Sequence, residues 1–116
     1  MTALVTPAAS VRTAEQVPQR WFHGGGVHHW LATAEDTGGA YLLFSDDMTQ
    51  GKCTPLHTHP AEESLYVVAG SLLVHLAGVE HVVDAGGLVI APRDVPHAFL
   101  VLSETATLQC RACGKL

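Results

Sequence analysis

Three histidines and one glutamate carry the clearest chemical signal in this sequence. His57 and His59 are separated by one residue, Glu63 follows shortly after them, and His97 lies further along the chain. Two residues separated by one position point to the same face of a β-strand, because side chains alternate along a strand. Three neutral imidazole nitrogens and one carboxylate oxygen suit a divalent first-row transition metal. These residues therefore predict a metal site.

The alternative interpretation is a set of unrelated buried histidines. Three imidazoles buried apart from one another would each need a separate hydrogen-bond partner, which makes a shared cation the simpler interpretation. Glu62 is the rival of Glu63 for the acidic ligand, because the two are adjacent and point opposite ways along a strand. Glu63 shares the parity of Leu65 and Val67, which we expect to point inward, and is therefore the preferred ligand.

Glycines and prolines around these residues complete two ordered motifs, which resemble the two signature motifs of the cupin superfamily. The motifs read Gly51-x5-His57-x-His59-x3-Glu63-x6-Gly70 and Gly86-x5-Pro92-x-Asp94-x2-His97. The sequence departs from the family pattern at Asp94, which usually is glycine, and at Val101, which often is asparagine. Aspartate tolerates left-handed backbone angles better than most residues, so the first departure is mild. The resemblance implies that the three histidines and Glu63 bind one metal ion.

Short β-branched and apolar runs between glycine- and proline-containing turns predict an all-β fold. Turn signals recur roughly every eight to twelve residues, which is typical of a sandwich or barrel. The cupin resemblance narrows this to a small double-stranded jelly-roll barrel. The predicted strands are 27–34, 40–46, 55–58, 63–69, 72–76, 79–84, 88–91, 97–102 and 105–111.

The domain organisation follows from length and composition. A chain of 116 residues is one domain. We assign residues 27–113 to a single cupin barrel and residues 1–26 to an N-terminal arm that is partly disordered or exchanged in a dimer. A hydrophobic content of 47% suits an apolar barrel interior or a buried interface between copies. Because cupins often dimerise, the resemblance implies a homodimer.

Charge and cysteine usage exclude several classes of function. The net charge is −5 with six lysines and arginines, so nothing favours nucleic-acid binding. No apolar run approaches a membrane span, and the N-terminus lacks a secretory signal, which predicts a cytoplasmic protein without a membrane partner. Three cysteines do not suggest a disulfide framework. We interpret Cys110-x-x-Cys113 as two thiols near a frayed end rather than as a zinc or redox site.

Strand parity also predicts the walls of a substrate pocket. Leu65 and Val67 share the parity of Glu63, and Phe99 and Val101 share that of His97. An apolar cavity with one polar focus is the usual form of a small-molecule site. Tyr41 and Phe44 have opposite parity on one predicted strand, so only one of them can face inward. Other residues weighed as substrate contacts are His28, His29 and Arg93, each of which is interpreted first as an ordinary structural or solvated residue.

The leading functional hypothesis is a small-molecule dioxygenase. The sequence is similar to short bacterial cupins of the quercetin-dioxygenase-like kind, which implies an aromatic or enolic substrate and a proton-accepting role for Glu63. The ligand set fits iron, manganese, nickel, copper or zinc. Two alternatives stay open: a sugar isomerase or epimerase, which would need polar inner strands, and a non-catalytic module that binds a small molecule.

Overall fold

Nine β-strands and one 3-10 turn (Ala14–Gln16) form the regular structure of residues 8–21 and 25–113, which are the residues described by this computed structural model. The strands are β1 (Gln19–Trp21), β2 (Gly26–Ala32), β3 (Leu42–Thr49), β4 (Glu62–Ala69), β5 (Ser71–Leu76), β6 (Val79–Asp84), β7 (Leu88–Ala91), β8 (His97–Val101) and β9 (Thr105–Cys113). Within these residues, no helix is long and apolar enough to cross a membrane.

The strands form two antiparallel sheets with the core between them. The larger sheet has the order β1-β2-β3-β9-β4-β7, and the smaller has the order β6-β5-β8. Both sheets contribute to one hydrophobic cluster, which includes Val67 and Leu108 from the larger sheet and Leu72 and Val101 from the smaller. Two packed antiparallel sheets confirm the expected all-β jelly-roll architecture.

Alternation along β4 shows how the sequence chooses the inner face. Glu63, Leu65 and Val67 are buried, whereas Tyr66 and Val68 between and beyond them are exposed. A strand with one buried face has this period-two pattern, and a shift of one residue would turn the carboxylate outward. The predicted parity of β4 is therefore confirmed.

Part of the predicted N-terminal arm lies against the barrel. β1 forms the edge of the larger sheet and pairs with β2. The guanidinium group of Arg12 donates hydrogen bonds to both carboxylate oxygens of Asp36 and to the Leu31 carbonyl. The hydrogen bonds from Arg12 hold the pKa of Asp36 well below its usual range. The remainder of the predicted arm, residues 1–7 and 22–24, lies outside the described residues.

The predicted strand 55–58 is wrong. In this segment His57 forms only an isolated bridge, and regular strand begins again at β4. Pro55 and Pro60 flank the two histidines, and proline removes the backbone N–H that a continuous ladder needs. The first two histidines therefore lie on a loop that touches the smaller sheet at one point.

Candidate metal centre

The isolated bridge brings His57 directly opposite His97. The His57 N–H donates to the His97 carbonyl at 3.1 Å, and the His97 N–H donates to the His57 carbonyl at 3.0 Å. Antiparallel residues that exchange both bonds project their side chains to the same side. The two ring centroids are 4.4 Å apart as a result. This pair of backbone hydrogen bonds thus holds the ring of His57, which lies on a loop, beside the ring of His97 at the start of β8.

His59 completes the cluster from the same loop. Its ring centroid lies 5.5 Å from that of His57 and 4.9 Å from that of His97. The Asp94 N–H donates to the His59 carbonyl at 2.9 Å and so ties this loop to the one before β8. Asp94 has a φ of 61°, which confirms that aspartate occupies a left-handed position here.

The three histidines present one ring nitrogen each to a common centre. These nitrogens lie within 4.8 Å of one another, a spacing that one metal ion could bridge. The other nitrogen, Nδ1, of each ring contacts a backbone carbonyl: Pro55 for His57 at 2.7 Å, Ala61 for His59 at 3.0 Å and Val95 for His97 at 2.9 Å. A carbonyl only accepts hydrogen bonds, so Nδ1 must carry the hydrogen and the neutral ring keeps its lone pair on Nε2. Metal-binding histidines are oriented in this way.

The Nε2 atom of His97 gives a second sign that a cation belongs here. This atom is buried and has no hydrogen-bond partner among the described residues. A buried polar atom left without a partner costs about 1–3 kcal/mol. A metal ion would satisfy it, so the residues present fit the ligand set that their spacing predicts.

Glu63 lies beside the histidines. It is buried, and its Oε2 is 3.4 Å from Nε2 of His59. The set of groups within 4.8 Å of one another comprises the three histidines, which places the carboxylate at the edge of the centre. Glu62, the rival from the sequence, is exposed at the start of β4. Of the two acids, only Glu63 is near the histidine nitrogens.

Glu63→Gln is expected to weaken metal binding by about 10–100-fold, because losing a carboxylate that binds or orients metal ligands typically costs that much. Glu62→Gln is the matched control and should leave affinity unchanged. Competition with a coloured chelator measures both variants. Equal affinities for Glu63→Gln and the wild type would exclude the carboxylate from the centre.

A cavity of about 240 Å³ adjoins the histidines and extends between the sheets. Its walls are mostly apolar. Among the residues that line it are Phe44, Asp46, Met48, Lys52, Leu65, Phe99 and Cys110, together with His57, Glu63 and His97. A concave, mainly apolar space with a few converging polar groups has the form of a small-molecule site.

Comparison with known families agrees with this geometry. The model of the cupin domain family matches residues 47–110, more than half of the chain, including the three histidines and Glu63. The chain belongs to the cupin family. No curated protein matches it in sequence.

Several solved structures share this fold over nearly the whole chain. An RmlC-like cupin from Shewanella frigidimarina has a TM-score of 0.80 and 20% identity and covers 93% of both chains. KdgF from Halomonas has a TM-score of 0.79 and 16% identity, over 93% of this chain and 96% of its own. The polyketide cyclase RemF from Streptomyces resistomycificus has a TM-score of 0.75 and 23% identity, over 90% of this chain and 79% of its own. At these identities the likeness shows the fold alone.

The predicted pocket residues of this cupin divide into two pairs. Leu65 and Phe99 line the cavity. Val67 and Val101 are only 0% and 1% exposed and belong to the hydrophobic core instead. Val67 lies two residues beyond Leu65 on the same face of β4, and Val101 lies two residues beyond Phe99 on the same face of β8. Parity determines which face a residue occupies, whereas its position along the strand determines whether it meets the cavity or the core.

Asp46 is the residue that sequence reasoning missed. It lines the cavity from β3, on the same face as Phe44. Its Oδ1 lies 2.5 Å from Nδ1 of His28, which faces it from β2. Tyr41 lies outside the cavity lining, and the Arg111 guanidinium carbon is 4.8 Å from its ring centroid. The sequence placed Asp46 on the same strand face as Phe44 but did not determine whether that face points inward.

The two C-terminal cysteines have separate environments. Cys110 is buried and lines the cavity, whereas Cys113 is half-buried at the end of β9. Because they are three residues apart on one strand, their side chains point to opposite faces. Burial raises the pKa of the Cys110 thiol, and the nearby charges of Glu63 and Asp46 raise it further. The prediction of a frayed end is wrong, since β9 lies between β3 and β4 in the larger sheet.

Proposed function

We propose that this cupin is a metal-dependent dioxygenase that acts on a small aromatic or enolic substrate. The observation that carries the proposal is the set of three imidazoles, each fixed through Nδ1 and converging beside an apolar cavity. Iron, manganese, nickel and copper suit these ligands and are redox-active, whereas zinc suits them and is not. When bound, such a metal would supply coordination positions for substrate oxygen and dioxygen.

The side chains of this chain have distinct proposed roles. Leu65 and Phe99 exclude water and hold the flat apolar part of the substrate. Glu63 is the proposed base, since it is a buried carboxylate that borders both the histidines and the cavity. It would accept the proton of a substrate hydroxyl at its carboxylate oxygen. A base must lie within hydrogen-bond reach of the proton that it removes, and the position of Glu63 in the cavity lining supports this role.

The mostly apolar walls favour this function over sugar isomerisation. A sugar presents hydroxyls around its ring, and a cavity that binds one needs many hydrogen-bonding groups. Here Phe44, Met48, Leu65 and Phe99 are among the residues that surround the space. A non-catalytic module that binds an apolar ligand is the second candidate, because the same walls would serve it.

Oxygen uptake distinguishes the two candidates. The protein would be loaded separately with iron(II), manganese(II), nickel(II), copper(II) or zinc(II) and mixed with single-ring catechols and enols in an oxygen-electrode cell. We expect uptake with at least one redox-active metal, none with zinc and none in His57→Ala/His97→Ala. Binding of these compounds without uptake for any metal would support the non-catalytic candidate and contradict the dioxygenase.

A homodimer in the cytoplasm is part of the proposal. Tyr66 on β4 is paired with Leu88 on β7, and these two side chains are 43% and 57% exposed on the outer face of the larger sheet. Ile90 adds a further exposed apolar side chain to β7. A second copy packed on this face would cover them. The cytoplasmic location is supported separately by the free cysteines, which suit a reducing compartment. Light scattering should give twice the chain mass, and a monomeric mass at micromolar concentration would contradict the dimer.

A further inference from the structure

A second polar group enters the cavity away from the predicted metal ligands. Asp46 is only 7% exposed, and its carboxylate is held by His28, which is 9% exposed. On the inner face of β3 its neighbours are Phe44 and Met48, both of which also line the cavity. The proposed function gives this carboxylate no role.

The same two strands carry a similar pair on their outer face. His29 contacts Asp47 through Nε2 at 2.9 Å, and the Asp47 side chain is 55% exposed. Thr107 also donates to Asp47. The Asp47 carboxylate is more than half exposed to solvent, whereas the Asp46 carboxylate is buried and borders the mostly apolar cavity. The two pairs therefore differ in what their carboxylates can meet.

Burying a carboxylate is unfavourable unless it is paired and hydrogen-bonded. A carboxylate has about four lone-pair sites, and His28 uses one of them. Burial raises the pKa of Asp46, while the charges of His28, His29 and Lys52 oppose the rise. Lys52 also lines the cavity and adds a positive charge near Asp46. A hydroxyl or N–H group of a bound molecule would satisfy the oxygens that face the cavity.

We propose that Asp46, oriented by His28, is a second anchoring point for the substrate and accepts a hydrogen bond from its hydroxyl or N–H group. The inference rests on the proposed metal centre, where an oxygen at the other end of the same molecule binds. It specifies the substrate class further: a compact apolar ring that carries an oxygen ligand on one side and a proton donor on another.

Cavity volume limits the size of the ring system. An apolar cavity of about 150 Å³ holds benzene, and this cavity measures about 240 Å³. By proportion it encloses roughly ten non-hydrogen atoms, which is one ring with two small substituents. Larger multi-ring molecules would have to project beyond the enclosed space.

Benzoate and the 2-, 3- and 4-hydroxybenzoates form a matched set of probes. Each has one ring and a carboxylate for the metal, and the isomers place one hydroxyl at different distances from it. Calorimetric titration would use zinc-loaded protein, because zinc is redox-inactive and the probes stay intact. The variants are Asp46→Ala, Asp46→Asn and the outer-face control Asp47→Ala.

At least one hydroxybenzoate should bind the wild type ten times more tightly than benzoate, since hydrogen bonds to a charged acceptor are among the stronger ones. This ratio should fall below about threefold in Asp46→Ala, take an intermediate value in Asp46→Asn and persist in Asp47→Ala. Because the ratio is taken within each variant, it is insensitive to small losses of stability or metal affinity.

The possible failures are distinguishable. Zinc uptake with equal affinities for all four probes, or a ratio that survives in Asp46→Ala, would overturn the anchor and leave the metal centre intact. If the affinity ratio falls as far in Asp47→Ala as in Asp46→Ala, the effect belongs to the two strands in general. That result would also overturn the anchor. A wild type that takes up neither zinc nor iron, manganese, nickel or copper would contradict the proposed function and the anchor together.

Discussion

Gly70→Ala is expected to lower the free energy of unfolding by roughly 3 kcal/mol or more, whereas Gly78→Ala should cost about 1–2 kcal/mol. Both glycines have positive φ angles, 84° and 83°. A methyl group at Gly70 would lie 2.6 Å from the Ser103 Oγ and 2.8 Å from the Ala106 Cα. Among the residues that the structure describes, nothing lies within 4 Å of the corresponding position at Gly78. The difference between the two losses in free energy of unfolding therefore measures the steric overlap at Gly70 separately from the backbone strain that both variants share.

Urea denaturation of the metal-free proteins measures both free energies under one set of conditions. Gly70 separates β4 from β5, so its turn fixes the end of the strand that carries Glu63. Backbone must move to admit the methyl group, since the Thr105 carbonyl and Ala106 Cα are both near it. Equal losses for the two alanine variants would show that this close approach does not hold the turn.

His97→Ala is expected to reduce affinity for a divalent transition metal by about 100-fold or more. Four-ligand zinc sites have apparent binding free energies of about 10–16 kcal/mol, or roughly 3 kcal/mol for each ligand. The buried Nε2 without a partner makes His97 the histidine for which a cation matters most. His81→Ala, at an exposed position on β6, is the control.

Thermal unfolding with added metal measures this effect. At a metal concentration about 100 times its dissociation constant, the wild type gains about 2.7 kcal/mol, which should raise Tm by roughly 10 °C. His81→Ala should show the same shift. At that concentration His97→Ala should gain only about 0.4 kcal/mol, or roughly 2 °C. A full shift in His97→Ala would remove this residue from the ligand set.

Strand parity predicted which side chains of β4 point inward, because alternation is a local property. Glu63 and Leu65 face inward on β4, as expected from the sequence. Position along the strand was not predictable in the same way, since it depends on how the two sheets approach each other. Val67 therefore lies in the core although its face was assigned correctly.

Long-range pairing explains what the sequence left open. The His57–His97 bridge joins residues far apart in the chain, and two prolines keep the His57 segment from forming a regular strand. β1 is short and exposed on all three residues, so no alternation marks it. Asp46 was missed because its burial depends on pairing with His28 of the neighbouring strand.

Metal content of tag-free protein, measured by plasma mass spectrometry beside His57→Ala/His97→Ala, tests the central claim most directly. Three converging imidazoles predict close to one divalent transition metal ion per chain in the wild type and almost none in the variant. Iron, manganese, nickel or copper would support the oxygenase, and zinc alone would favour redox-inactive chemistry. A wild type that takes up no metal, even after incubation with each of these ions, would contradict the metal centre.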